Sequence, residues 1–366
     1  MTDKKIRSIG ALLVLAVWLV LTVGAWFLPP KEMSESERRP LDQFPNITVD
    51  TVLNGKFMSA FEDYTLDQFP GRDLLRRLKS LFHYNVMNQS DNNDIYIADG
   101  YAAKLEYPLS DISLNNAISI FNNIRQKYLR ANKMYFAIVP DKGYYLAEKN
   151  GYLAMDYEKL FSTMEKELNW ATFIDLTDVL SVEDYYFTDT HWRQEKLLPA
   201  AQKIAQAMKI PGPTAESFTQ TKLERPFYGV YYGQAALPMD AEPLYIMESE
   251  ILKNCTVYNH ETGETTAVYD MSKLESKDLY DVYLSGAQAM LTITNPAVKS
   301  NKELIVFRDS FGSSMVPLLV QDYRTVTVVD IRYADSNFLN RYIQFRNQDV
   351  LFLYSSLILN SSSVLK

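Results

Sequence analysis

Three side chains in this sequence supply a nucleophile, a base and a carboxylate of the kind that together activate a hydroxyl. Ser310 follows the apolar run Leu304-Ile305-Val306-Phe307 through Arg308 and Asp309, and the small residues Gly312, Ser313 and Ser314 come after it. A strand that ends there and opens into a helix places the serine at the carboxyl edge of a sheet. Ligands of open α/β sheets bind at that edge, and the first amides of a helix can hold a developing oxyanion. A plain Asp or Ser helix cap produces the same pattern. A serine hydroxyl is a poor nucleophile until a positioned base takes its proton. Of the three histidines, His83, His191 and His260, only His191 lies beside a carboxylate of suitable reach, in Phe187-Thr188-Asp189-Thr190-His191-Trp192. Asp189 would accept the proton on one ring nitrogen and leave the other to face Ser310. The alternative for Asp-x-His is a capped, partly buried histidine ahead of a helix from Glu195.

Composition narrows the chemistry. The chain has 366 residues, 47% of them hydrophobic, enough to bury one large core or two modest ones. A formal charge of −8 argues against nucleic acid as a partner, because phosphate binding needs a basic face. The single cysteine, Cys255, excludes an internal disulfide and a cysteine-based metal cluster, and the scattered histidines lack zinc-ligand spacing. The expectation is organic catalysis with neither metal nor cofactor.

The elements that must position these residues begin after an apolar amino terminus. Lys4, Lys5 and Arg7 precede Ile9 to Leu28, 20 residues without a charge, long enough as a helix to cross a bilayer core of about 30 Å. The charge order keeps the start in the cytoplasm and puts the remainder outside. An uncleaved anchor over residues 1–30 is the expectation, with a cleaved signal peptide, suggested by Val23-Gly24-Ala25, as the alternative. Residues 31–92 form a charged helical lead. In it Phe57, Phe61 and Tyr64, and then Leu74, Leu78, Leu81 and Phe82, recur at helical spacing and predict packing faces; His83 belongs to the second of these.

From residue 93 short apolar strands alternate with amphipathic helices, the signature of a mainly parallel sheet covered on both faces, in a three-layer α/β fold. Strands are predicted at Ile95 to Ala98, Met134 to Val139, Phe173 to Leu176, Leu304 to Phe307, Thr325 to Ile331 and Val350 to Tyr354, and helices at Ser113 to Leu129 and Glu195 to Met208. Residues 211–301 read as a β-rich insertion, whose clearest piece is a hairpin from Thr256 to Tyr269 turning at His260-Glu261-Thr262-Gly263, with His260 as a solvated turn residue. Arg332 and Tyr333 follow a predicted strand at the same edge as Ser310 and are candidates for substrate contact, an ion pair being the alternative for the arginine. Trp192 could wall the site or stack on a sugar, or simply pack.

The order of these segments resembles the bacterial DHHW family, related to the alginate O-acetyltransferase proteins of the SGNH hydrolase superfamily. The likeness is carried by Glu37-Arg38-Arg39-Pro40 through Phe44-Pro45, by Asp67-Gln68-Phe69-Pro70-Gly71-Arg72-Asp73, by Asn93 to Ile97, by the tetrad Asp189-Thr190-His191-Trp192, and by Asp309-Ser310. It extends over nearly the whole chain. Thr190 stands where many relatives carry a second histidine. The resemblance implies an SGNH-like catalytic domain over residues 93–366, with Ser310 as nucleophile, His191 as base and then acid, and Asp189 as orienter. It also implies an oxyanion hole near Ser285-Gly286-Ala287-Gln288, where relatives show Gly-Gly-Asn. There Gly286 could offer an amide and Gln288 a carboxamide, or the segment could be a plain loop.

The function so implied is transfer of an acyl group, acetyl above all, to an exported or cell-envelope polysaccharide, the donor coming from a membrane-bound O-acyltransferase partner. An esterase with water as acceptor uses the same residues. A non-catalytic carbohydrate-binding scaffold is the alternative outside enzymology.

Overall fold

The apolar start of the chain folds as one helix, α1 (Asp3–Phe27), whose segment Arg7–Ala25 is long and apolar enough to cross a membrane. The structure is a computed structural model and describes residues 3–34 and 36–366. Contacts divide the chain into two units, 1–93 with 232–238, and 94–231 with 239–366.

In the first unit α2 (Lys56–Asp67) and α3 (Arg72–Asn85) follow α1. Phe57, Phe61 and Tyr64 gather around Phe44 with ring centroids 5.4 to 6.4 Å from it, as their spacing predicts. The stripe on α3 behaves otherwise: Leu74, Leu78 and Phe82 are each more than half exposed. The side of α3 that packs within this unit is the polar one. Arg72 and Arg76 pair with Glu37, and the Ser80 hydroxyl donates to the Ala235 carbonyl. His83 is half-buried and bonds Gln89 through Nδ1.

The second unit is built on an eight-stranded sheet. Its strands, in chain order, are β1 (Lys133–Val139), β2 (Thr172–Asp175), β3 (Thr256–Asn259), β4 (Thr265–Thr266), β5 (Met290–Thr294), β6 (Glu303–Arg308), β7 (Thr325–Val329) and β8 (Asp349–Ser355). Across the sheet they run β4-β3-β5-β7-β6-β8-β1-β2. The five from β7 to β2 are parallel; β5, β3 and β4 add antiparallel to the outer edge of β7.

Alternation along the parallel strands feeds two cores. Leu304, Val306, Leu351 and Leu353 join one, beneath α6 (Leu198–Met208) and α7 (Gly312–Leu319); Ile305, Phe307, Val350 and Phe352 join the other, beneath α4 (Asp111–Tyr128) and α5 (Tyr157–Glu167). Burial on both faces is why these strands read as unbroken apolar runs rather than alternating ones. The result is the expected three-layer sandwich. Each fully buried side chain of Leu or Phe size contributes roughly 1.5–3 kcal/mol. Phe352, with Phe307 stacked on it at 4.8 Å and Phe121 at 5.4 Å, sits where such contributions concentrate.

Local differences from the predicted elements have local causes. Ile95–Ala98 is a strand, but it pairs with Tyr101–Lys104 in a separate hairpin. The turn between them, Asp99-Gly100, has positive φ at both residues, the conformation a two-residue hairpin demands. The helix predicted from Glu195 begins at Leu198, with Pro199 in its first turn where a missing N–H costs nothing. Within 211–301, Thr219–Lys222 pairs with Tyr245–Glu248, while β3, β4 and β5 become part of the main sheet.

Candidate active site

Ser310 lies just past β6 and two residues before α7, partly buried, at the carboxyl edge of the parallel strands. The turn that presents it is fixed from below. The buried Asp309 carboxylate accepts from the Phe311 N–H at 3.0 Å and from the Ser355 N–H at 2.7 Å, tying the turn to the end of β8. Gly312 must be small: a Cβ there would come 2.6 Å from Cβ of Arg308.

His191 arrives from a loop more than a hundred residues earlier, and its Nε2 lies 2.7 Å from Ser310 Oγ. Its Nδ1 is 2.6 Å from Asp189 Oδ1, and the same oxygen accepts the His191 backbone N–H at 3.0 Å. Asp189 is completely buried, and its second oxygen accepts the Val230 N–H at 2.8 Å. With one ring nitrogen donating to a carboxylate, the other is left as the acceptor for a serine proton. The structure therefore brings Ser310 to the Asp189–His191 pair, which lies more than a hundred positions earlier in the chain.

The loop is held by groups that no spacing announces. Glu242 is buried and accepts from the Phe187 N–H, the Thr188 N–H and the Thr188 hydroxyl, at 2.7 to 2.9 Å. Burial pushes its carboxyl up, and the bonds from Thr188 and Phe187 and the charge of Lys142 oppose that push. Lys142, also buried, donates to the Tyr186 carbonyl at 2.8 Å. Burial brings its ammonium down to about 7, against the pull of Asp189, Glu242 and Asp141. Gly229 passes so close that a Cβ would sit 2.3 Å from the Asp189 backbone. Tyr280 lies flat against His191, ring centroids 3.9 Å apart, with its hydroxyl 2.7 Å from Ser314 Oγ. One tyrosine among 25 carries no mark of such a role, and only the glycine in Tyr228-Gly229-Val230 offers a hint.

Several expected contacts take another form. Trp192 is fully buried and donates from Nε1 to the Phe311 carbonyl and Ser314 Oγ, so it anchors the start of α7 rather than meeting a sugar. The Gly286 N–H donates to the Tyr283 carbonyl, and the Gly286 carbonyl accepts from Arg308. Gln288 donates to the Ser285 carbonyl and accepts from Asn259. Both donors expected for an oxyanion are thus engaged within or beside their own loop. Arg332 forms a two-pronged pair with the buried Asp330, at 2.9 and 2.6 Å, which is the ion-pair alternative. Tyr333 remains half-exposed beside it. His260 is not a solvated turn residue: its Nε2 bonds Thr292 Oγ1 at 2.9 Å, and its ring meets Tyr258 and Tyr342 edge-on. Among the described residues no cluster of ligating side chains that could hold a metal ion is found.

The chain thus has an SGNH-like three-layer α/β fold with a serine, a histidine and an aspartate gathered at the carboxyl edge of its parallel strands. The chain belongs to the DHHW family: the family profile, described as DHHW protein, matches residues 90–329. Comparison with curated protein sequences gives no match. Among solved structures, a DHHW family protein from Eubacterium siraeum is similar at 20% identity and a TM-score of 0.60, covering 75% of this chain and 97% of the other. PatB1 from Bacillus cereus, solved with a sulfonyl adduct, is similar at 18% identity and a TM-score of 0.56, covering 72% of this chain and 95% of its own. These likenesses establish a shared fold.

Proposed function

We propose that this chain is a serine-dependent O-acyltransferase, carrying an acetyl group to a hydroxyl of a cell-envelope or exported polysaccharide. The observation that carries the reading is the Ser310–His191–Asp189 relay, with its 2.7 and 2.6 Å contacts. His191 Nε2 takes the Ser310 proton as Oγ attacks the acyl carbonyl. The tetrahedral oxyanion needs donors, and the Ser310 N–H, which has no hydrogen-bond partner among the described residues, is one. Collapse releases the donor's oxygen with the proton from Nε2 and leaves acyl-Ser310. A sugar hydroxyl then gives its proton to His191, attacks the ester, and departs acylated, restoring the serine.

In this reading α1 is an uncleaved anchor, the site faces the extracytoplasmic side, and the acyl donor is supplied by a membrane-bound O-acyltransferase. An intact mass lacking residues 1–25 would overturn the anchor. The catalytic reading is tested with a serine-reactive fluorophosphonate: wild type is labelled and Ser310→Ala is not. Transfer of acetyl to a sugar acceptor should then exceed release of free acetate. Free acetate in excess would favour the esterase, and an unlabelled wild type the carbohydrate-binding scaffold.

A further inference from the structure

A groove of about 500 Å³ opens on the second unit beside β5 and β7. Its size suits a small-molecule or oligomer site, for which about 300–1,000 Å³ is usual. Its floor includes Met290, which pairs with Val329 of β7, and Val329 in turn pairs with Phe307 of β6. The groove therefore lies at the level where β6 ends and delivers Ser310, two strands across, on the order of 10 Å at about 4.8 Å per strand.

Its wall carries aromatic rings that the core does not need. Tyr333, Phe338 and Tyr342 are 49%, 46% and 59% exposed, although each would gain from burial. A run of exposed rings on one rim is a surface for a ligand with flat apolar faces. His260 also lines the groove, its ring edge-on to Tyr342 and fixed by the bond to Thr292. Polar groups share the lining: Glu261 and Asp335, each with one carboxylate oxygen accepting a backbone N–H and the other able to bond a hydroxyl, and Arg341, which lies over the Phe338 ring at 4.3 Å. Alternating C–H faces and hydroxyls are the surface of a pyranose chain.

The charges choose among glycans. Two carboxylates and one arginine line the groove, and burial lowers the His260 pKa. A polymer with a carboxylate on every sugar would meet net repulsion, whereas neutral or amino sugars would not.

We propose that this groove is the acceptor subsite, binding sugars of a neutral or amino-sugar glycan that flank the residue presented to Ser310. The inference rests on the acyltransferase reading for its purpose, but its test does not use the nucleophile. Full-length Ser310→Ala protein, which cannot turn over, is titrated calorimetrically with N-acetylglucosamine hexamer, glucose hexamer and mannuronate hexamer. One or both of the first two should bind at least tenfold more tightly than the third. Phe338→Ala and Tyr342→Ala should each weaken that binding about tenfold, roughly the loss of one ring contact. Tyr107→Ala, removing a ring of similar exposure outside the groove, should leave it unchanged. Melting temperatures check that each variant folds. No binding by either neutral or amino-sugar oligomer, a preference for mannuronate, or binding indifferent to both ring substitutions overturns the subsite. Fluorophosphonate labelling of wild type reports on the catalytic reading separately, so the two can fail independently.

Discussion

The ring of Tyr280 lies parallel to that of His191, 3.9 Å between centroids and 8° between planes. Two ends fix this stack: the Tyr280 hydroxyl meets Ser314 Oγ at the start of α7, and Asp189 holds His191 Nδ1. The imidazole is thereby confined in rotation as well as in position. Tyr280→Phe keeps the stack and should stay within about threefold of wild type in turnover. Tyr280→Ala frees the ring and should lose about ten- to a hundredfold, the cost of a misplaced catalytic group. Equal losses in the two variants would show that the hydroxyl bond, not the stack, matters.

Asp189→Asn tests the relay itself. The carboxamide keeps the shape and can still accept the Val230 N–H, but it favours the wrong imidazole tautomer. Turnover should fall on the order of 10³–10⁴-fold, and the melting temperature should drop modestly, because the buried His191 N–H loses its acceptor at Oδ1. A variant within tenfold of wild type would remove Asp189 from the mechanism.

Gln288 separates two accounts of oxyanion binding. Its amide already donates to Ser285 and its carbonyl accepts from Asn259. Gln288→Ala should therefore change turnover by less than about tenfold, where loss of a true oxyanion donor costs roughly 10²–10³-fold. A loss in the larger range would mean that the side chain turns toward the substrate when it binds.

Lys142 predicts a pH dependence of stability. Burial holds its pKa near 7, while in the unfolded chain it titrates near about 10.4. Between those values the unfolded chain binds a proton that the folded chain does not, so this group's contribution to stability rises with pH across the window and is flat below it. Against Lys142→Met, wild type should gain up to about 1.4 kcal/mol per pH unit from pH 7.5 to 9.5 in denaturant titrations of the detergent-solubilised protein. The lost bond to the Tyr186 carbonyl adds only a constant offset. Parallel curves for the two proteins would place the lysine's titration elsewhere.

The apolar runs at β1, β6 and β8 were legible because strands buried on both faces tolerate few polar interruptions. The Asp-x-His and Asp-Ser segments stood out because few residue types can do the chemistry and the chain has only three histidines. Trp192 was ambiguous, since a tryptophan suits a sugar as well as a core; its burial and its bonds to Phe311 and Ser314 decide for packing. The stripe of Leu74, Leu78 and Phe82 shows the converse: periodicity reveals that a helix has an apolar face, but not what lies opposite.

By itself, then, the order of residues determined the parallel sandwich and the apolar first helix, and it singled out a serine, a histidine and a carboxylate as the candidates for chemistry, because each follows from local pattern or from scarcity. Only the folded chain decided that Nε2 of one loop meets Oγ of another, that Tyr280 and Gly229 back the relay, and that Gly286 and Gln288 spend their donors elsewhere. Those facts depend on where β6 ends relative to a loop more than a hundred residues away, a distance that sheet order sets and no local signal encodes.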